Sequence, residues 1–237
     1  MRTFTSLILL IFLISGCELN FKSGNGNMEE KQTDVESFSE VHIGGNFDVA
    51  LIPSDKNSVL VSADENLMKY INVEVHNNSL NINTVHNLKS SRGIKITINY
   101  TSLTGIYSTG ASRITHNNAL QSKDLQIDLS GTGSIELGVD VETATVTMTG
   151  AGLVKLNGKA SLLSAVISGA GGLVASDLIA QNCDISLSGL GGASVYVTDK
   201  LDANISGIGG IQYAGNPEHI EKSITGLGKI TQADNDN

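Results

Sequence analysis

A glycine that recurs about every 19 residues constrains this chain more than any other feature of its sequence. Between residues 109 and 226, seven Ser/Thr–Gly pairs recur at this period, with glycine spacings of 21, 19, 19, 20, 18 and 19 residues. A period of this length over many copies is typical of stacked repeat architectures, in which a single repeat cannot bury its apolar face alone. The glycines are Gly110, Gly131, Gly150, Gly169, Gly189, Gly207 and Gly226.

Apolar residues precede these glycines with the alternation of a β-strand. Leu163, Ala165 and Ile167, for example, lie six, four and two positions before Gly169, and polar residues occupy most intervening positions of the other copies. Lys222 is the one charged residue at these apolar positions in the last six copies. Because a period of two buries one face of a strand, the sequence predicts an all-β parallel β-helix. Its coils contain about 19 residues and stack at about 4.8 Å.

The glycines themselves are predicted to be structural corners. Glycine adopts backbone angles closed to other residues, and the absence of Cβ allows coils to stack closely. A phosphate loop would require a following helix and a Lys–Ser/Thr pair, and a calcium-binding nonapeptide would require Asp after the glycines. The sequence has neither pattern. The Ser/Thr residue before each glycine is predicted to contribute to a ladder of hydroxyl groups along the rod.

The residues outside the repeat divide into an N-terminal cap region and a short tail. Six short β-like segments separated by turn signals occur over 35–100, and they are predicted to cap the rod formed by the glycine-cornered coils at 101–232. The segment "DENLMKY" within the cap region favours one helical turn. Residues 233–237 are predicted to be a disordered tail.

The first residues predict export and a lipid anchor. An apolar run too short to span a membrane is followed by "ISGC", which resembles the lipobox of bacterial lipoproteins. Residues 1–17 are therefore interpreted as a signal peptide, with Cys17 as the lipid attachment site, and 18–34 as a flexible linker. The alternative is an ordinary signal peptide with an incidental cysteine. The predicted location is the outer membrane, on either its periplasmic or its surface face.

Few residues have a pattern that indicates a binding or catalytic site. The outward positions five before the glycine place Asp184, Asp202 and Glu221 on successive coils, where their carboxylates either form a ligand site or simply solvate the surface. Cys183 lies in an apolar column and is predicted to be a small core residue. The five histidines lack metal-ligand spacing and are predicted to lie at the surface. We therefore predict no catalytic residues, metal or cofactor.

Several of these motifs together resemble a known family. The pattern F-x-x-V-x-I-x-G-x-F-D-V at 38–49, "DENL" at 64–67, "SLNI" at 79–82 and the Ser/Thr–Gly-x-Gly coils are similar to the putative autotransporter adhesin, head GIN domain family. The resemblance covers about 35–232. It implies a right-handed, single-stranded β-helix that Gram-negative bacteria export, commonly as a lipoprotein, and it brings no catalytic residues with it.

These observations predict a membrane-anchored binding or adhesion module without catalysis. A net charge of −9 and the lack of clustered Lys and Arg argue against nucleic acid as a partner, which leaves a glycan or a protein as the ligand. One alternative is a carbohydrate-active β-helix enzyme that uses the acidic outer column. Another alternative is a structural protein of the cell envelope. The sequence leaves the ligand and the oligomeric state open.

Overall fold

The predicted architecture is confirmed by the computed structural model, which describes residues 21–233. The protein is 71% strand and 3% helix, and parallel coils of about 19 residues stack into a β-solenoid of about 7 turns. The predicted signal peptide with Cys17 and residues 234–237 lie outside the described residues.

The strands fall into an N-terminal group and the strands of the coils. The N-terminal strands are β1 (Phe21–Ser23), β2 (Met28–Asp34), β3 (Glu40–Gly44), β4 (Asp48–Pro53), β5 (Ser58–Asp64), β6 (Ile71–His76), β7 (Ser79–Thr84), β8 (Asn87–Lys89) and β9 (Lys95–Tyr100). The predicted helical turn is confirmed as a 3-10 helix at Glu65–Tyr70. The strands of the coils are β10 (Gly105–Ser108), β11 (Arg113–Leu129), β12 (Ser134–Met148), β13 (Leu153–Ile167), β14 (Gly172–Leu187), β15 (Leu190–Ile205), β16 (Ile208–Ala214), β17 (His219–Ile224) and β18 (Leu227–Gln232).

Each coil stacks on the one before it through parallel pairing in register. Leu125, Ala144 and Leu163 are successive partners in β11, β12 and β13, and all three side chains are buried. The same alternation continues through β14 and β15, so the inward side chains form one continuous apolar core along the solenoid. The outward side chains lie in columns along the outer faces.

The N-terminal strands continue this stack before they close it. β3 pairs in parallel with β10, and β4 pairs in parallel with β11, so these two strands form one more layer of the solenoid. β7 and β9 then pair in parallel with β3 and β4. The antiparallel strands β2, β5 and β6 pair with each other or with this last layer, and they cover its edges.

Glycine is required at the corners because the coils approach each other closely there, and not because of the backbone angles. Among the described glycines with positive φ, namely Gly26, Gly93, Gly158 and Gly215, there is no corner glycine, so the expectation of special angles at the corners is wrong. A Cβ atom at Gly169 would overlap the carbonyl oxygen of Gly150 in the preceding coil. The same overlap with the preceding coil recurs at every predicted corner, and Gly45 lies beneath Gly110 as a further member of the column.

Hydrogen bonds at the corners are directed along the solenoid. The N–H of Gly150 donates to the carbonyl oxygen of Leu129 at 3.2 Å, and the N–H of Ala151 donates to that of Gly131 at 3.1 Å. These donors are therefore not available to a phosphate. The hydroxyl of Ser168 donates to the carbonyl oxygen of Met148 at 3.4 Å, and the hydroxyls of Thr109 and Ser130 donate to backbone carbonyl oxygens in the same way. At these three positions, bonds to backbone replace the predicted ladder of hydroxyl groups.

The unequal repeat lengths are absorbed away from the glycine corner. In the 21-residue coil, His116 pairs with Leu137 but Ala119 pairs with Gly138, so two residues bulge out of the ladder. In the 20-residue coil, which contains β14, one extra residue bulges opposite the stretch of β13 between Lys155 and Asn157. Because these insertions lie between the strand segment after one glycine corner and the segment before the next, the glycine column stays in register.

The predicted flexible linker at 18–34 is ordered over its described part. β1 pairs with β8, and β2 pairs along its whole length with β5. The turn between β1 and β2 is fixed by Asp64, whose fully buried carboxylate accepts hydrogen bonds from Gly26 N–H at 2.7 Å and from Ser91 N–H at 3.0 Å. The hydroxyls of Ser90 and Ser91 donate to the same carboxylate at 2.6 and 2.9 Å. The N-terminal segment is thus attached to the solenoid.

One histidine, His116, is buried, which corrects the prediction that all five lie at the surface. Its Nδ1–H donates to the carbonyl oxygen of Asn118 at 2.6 Å, so its Nε2 accepts a hydrogen bond from the Tyr100 hydroxyl at 2.7 Å. Burial lowers the pKa of His116 and raises the pKa of Tyr100 to about 12. The imidazole is therefore held neutral next to the bulge of β11.

Protonation of His116 is expected to destabilise the protein in mild acid. Folding lowers the pKa of His116. The contribution of the neutral imidazole to the free energy of unfolding is therefore present above about pH 6.5 and is lost as pH falls below that value. Denaturant titrations between pH 7.5 and 5.5 should show a free energy of unfolding that decreases by up to about 1.4 kcal/mol per pH unit from this group. His116→Gln should lose this component, whereas His76→Gln, at an exposed position, should keep it. Equal pH dependence in both variants would contradict the assignment.

Candidate functional site

The three acidic residues singled out in the sequence lie side by side on the outside of the solenoid. Asp184 pairs with Asp202 across β14 and β15, and Asp202 pairs with Glu221 across β15 and β17. Adjacent strands are about 4.8 Å apart, so the carboxylates form one column across three coils. This acidic column lies on the strands that lead into the glycine corner.

The carboxylates of the acidic column remain accessible to solvent. Asp202 Oδ1 accepts a hydrogen bond from the side-chain amide of Asn204 at 2.9 Å. Lys200 Nζ lies 3.9 Å from Glu221 Oε1, which is a long and exposed ion pair. Asp184 is exposed. Each carboxylate therefore has free lone pairs that can accept hydrogen bonds from the hydroxyl or amide groups of a ligand.

The acidic column belongs to a flat polar surface, which we call the polar face. It consists of the outward side chains on the strand segments before successive glycine corners, and hydroxyl, amide and carboxylate groups predominate in it. Because the strands are in register, equivalent groups repeat at the strand spacing along the rod. From β11 to β17 the members are Gln126, Asp128, Thr145, Thr147, Ser164, Val166, Asp184, Ser186, Asp202, Asn204, Glu221 and Ser223.

The polar face extends onto the N-terminal strands, where it carries a cluster that the sequence analysis missed. Glu40 Oε2 accepts a hydrogen bond from Ser79 Oγ at 2.8 Å and lies 3.3 Å from His42 Nε2. The rings of His42 and Tyr107 stack with their centroids 4.3 Å apart. The Tyr107 ring leans over Gly105, where a Cβ atom would lie 2.7 Å from the ring. Because Gly105 has no side chain, the ring of Tyr107 can lie flat along the sheet.

The phenol of Tyr107 stays protonated over an extended pH range. Burial raises the pKa of Tyr107, and the negative charges of Glu40 and Asp128 raise it further. A neutral phenol beside two carboxylates can both donate and accept hydrogen bonds. This end of the polar face therefore also offers polar contacts to a ligand.

Neither Cys183 nor a metal cluster supplies reactive chemistry in the described part of the chain. Cys183 is buried, as predicted, and burial with the nearby charge of Asp184 raises the pKa of its thiol to about 12. The thiolate that a nucleophile requires is thus disfavoured. Within residues 21–233, no three His, Cys, Asp or Glu side chains are grouped so that they could hold a metal ion.

Two apolar surface features lie outside the polar face. The first is a ridge on the glycine corner, where Leu190, Ile208 and Leu227 pair in successive coils with exposed fractions of 58%, 53% and 75%. The second is an open groove of about 500 Å³ near the N-terminal end of the solenoid, lined in part by Phe21 and Phe47. We refer to the first as the apolar ridge.

Comparison with protein families identifies one match. The family described as "Putative auto-transporter adhesin, head GIN domain" matches residues 37–217 of the chain. No protein of curated function is similar enough to count as a match. Over residues 21–233, the structure contains no helix that is long and apolar enough to cross a membrane.

Solved structures share the architecture over almost the whole chain. A putative adhesin from Bacteroides fragilis is 25% identical, with a TM-score of 0.86, and the match covers 90% of this chain and all of that one. A putative lipid binding protein from Parabacteroides distasonis is 26% identical with a TM-score of 0.76 at the same coverage. A putative adhesin from Parabacteroides distasonis, at 23% identity, a TM-score of 0.67 and the same coverage, shows the shared fold alone.

Proposed function

The chain belongs to the family of auto-transporter adhesin head GIN domains, and from this premise we propose that it is an adhesion module that binds a glycan through its polar face. The observation that supports this proposal is the in-register polar face, on which equivalent hydrogen-bonding groups recur from coil to coil. A polymer with repeating hydroxyl groups can form the same contacts many times along such a surface. Multiple weak contacts then combine into useful avidity without a deep pocket.

We further propose that the module is exported and attached to the outer membrane by lipid on Cys17. Phe21, the first described residue, follows Cys17 by four positions and belongs to β1. Four extended residues span at most about 14 Å, so β1 would be held close to the membrane surface. The polar face continues from the N-terminal strands to the last coil. Because the acidic column lies on the last coils, it would be far from the anchor along the rod.

Binding to purified polymers tests the role of the polar face. The chain from residue 18 onward is presented to cell-envelope glycans and to extracellular-matrix proteins. We expect glycan binding that weakens at least about tenfold when Asp184, Asp202 and Glu221 are changed together to Asn, Asn and Gln. The matched control changes Leu190 and Ile208 of the apolar ridge to Ser and should leave binding unchanged. Binding only to proteins, or loss only in the ridge variant, would refute the proposal.

Accessibility on intact cells tests the proposed location. An adhesin must face the exterior, so protease added to intact cells is expected to degrade the protein. A periplasmic protein of the same cells serves as the control for membrane integrity. Complete protection of the chain while the cells remain intact, followed by digestion after lysis, would exclude adhesion to external ligands.

The close spacing of the acidic column supports a carbohydrate-active enzyme as a second candidate. The strands that carry neighbouring carboxylates are about 4.8 Å apart, which is close to the separation of about 5–5.5 Å between the carboxyl groups of retaining glycosidases. The candidate predicts release of reducing ends from a glycan and loss of that activity in Asp202→Asn. Binding without any cleavage by the native protein, or cleavage retained by Asp202→Asn, would eliminate it.

A further inference from the structure

The two ends of the solenoid differ in how far other strands cover them. At the N-terminal end, antiparallel strands cover the last layer. At the C-terminal end, β17 pairs only with β15, and β18 pairs only with β16, so one edge of each strand has no strand partner within residues 21–233. Such an edge is a template on which another chain can add a strand.

In the described part of the chain, the core is also uncovered at the C-terminal end. Ile220 and Ile224 are exposed by 43% and 46%, whereas their partners in β15, Leu201 and Ile205, are exposed by 0% and 2%. An edge with unpaired backbone and exposed isoleucines on its inward side favours stacking of a second molecule. Some feature of the last coil must oppose that association if the protein is to remain a single rod.

Lys222 lies at the centre of this end. It pairs with Ala203, which is fully buried, and it occupies the position that an apolar residue fills in the five preceding coils. Its Nζ donates a hydrogen bond to the hydroxyl of Tyr213 at 3.0 Å and lies 4.4 Å from the centre of the Tyr213 ring. Tyr213 is only 3% exposed, so the ammonium is held against the end of the core.

We propose that Lys222 closes the C-terminal end of the solenoid against a second copy of the chain. A copy stacked on this end would remove the ammonium from water. Burial of this charge is costly, because Lys222 forms no ion pair with a carboxylate within residues 21–233. Glu221 cannot serve as that partner on the inward side, because it points outward and lies near Lys200. The hydrogen bond and cation–π contact with Tyr213 keep Lys222 in the blocking position.

The test compares the oligomeric state of variants in the chain from residue 18 onward, which contains the whole described solenoid. Sedimentation velocity over an approximately hundredfold concentration range should show a monomer for the native chain. Lys222→Leu should associate, with an apparent dissociation constant at least about tenfold lower. Lys229→Leu is the matched control, because Lys229 lies in the same coil but points outward, and it should remain monomeric.

Additional variants keep the test decisive. Lys222→Arg retains the charge and should remain monomeric, and Lys222→Met replaces the leucine variant if circular dichroism shows that the latter is unfolded. A monomeric, folded Lys222→Leu or Lys222→Met would overturn the proposal. Equal association of Lys229→Leu would also overturn it, because added surface hydrophobicity would then explain the effect.

Discussion

Replacing Gly189 by alanine is expected to destabilise the solenoid by about 3 kcal/mol or more, which is a large effect for one methyl group. The new Cβ would overlap the carbonyl oxygen of Gly169 in the preceding coil. That oxygen is backbone and already accepts the N–H of Leu190 at 3.0 Å, so it cannot move without loosening the ladder. Urea denaturation monitored by circular dichroism measures the loss, and reduced soluble yield would accompany it.

The control for this substitution lies three residues further along the same corner. A Cβ at Gly192 would lie 3.4 Å from the carbonyl oxygen of Gly210, which is an ordinary van der Waals contact. Gly192→Ala should therefore change the free energy of unfolding by no more than about 0.5–1 kcal/mol, in the stabilising direction. Equal destabilisation by the two alanines would show that close approach of the coils is not why the corner column is glycine.

The coils are predictable from sequence because every structural requirement in them repeats. Alternating apolar residues define the inward face, and the glycine column marks where one coil approaches the next. Leu163, Cys183 and Leu201 each lie six positions before a corner glycine, and they are partners in the structure. The same alignment brings Asp184 beside Asp202 and Asp202 beside Glu221.

The N-terminal features were harder to predict because they depend on contacts between distant residues. Gly45 belongs to the corner column, but 65 residues separate it from Gly110, and no period reveals the relation. β2 has the sequence MEEKQTD, which lacks apolar alternation because the strand lies on the surface. The sequence of β2 therefore has no pattern that predicts its pairing with β5, and its polar composition is typical of a linker.

The cluster at the N-terminal end of the polar face was missed for the same reason. Glu40, Ser79 and Tyr107 come together only because β7, β3 and β10 are neighbours in the sheet. The inward position of His116 follows from strand alternation, because it lies two positions after the buried Ile114 and pairs with the buried Leu137. The polarity of the side chain favoured a surface position, but Tyr100 provides a hydrogen-bond partner inside. Tertiary contacts therefore determine the cluster, whereas the local alternation already determines the inward position of His116.

Changing Asp64 to Asn is expected to release the N-terminal segment from the solenoid. The carboxylate accepts hydrogen bonds from Gly26, Ser90 and Ser91. The side-chain NH₂ group of asparagine cannot accept these bonds and would face N–H or O–H groups that also donate. Trypsin should then cleave at Lys22 and Lys31 at least about tenfold faster, because β1 and β2 open more often. Asp55→Asn, at an exposed position, is the matched control and should leave the cleavage rate unchanged.

Acid provides an independent test of the same contact. Hydrogen bonds from Ser90, Gly26 and Ser91 hold the pKa of Asp64 well below its ordinary value, although burial acts in the opposite direction. Because the folded pKa is depressed, the stabilisation by Asp64 is present above about pH 3.9 and is lost as pH falls below that value. Hydrogen exchange at the amides of β2 should accelerate, relative to the intrinsic rate, between pH 5 and 3 in the native chain. In Asp64→Asn the protection should already be low at pH 5, and an unchanged acid response in that variant would show that another group holds the segment.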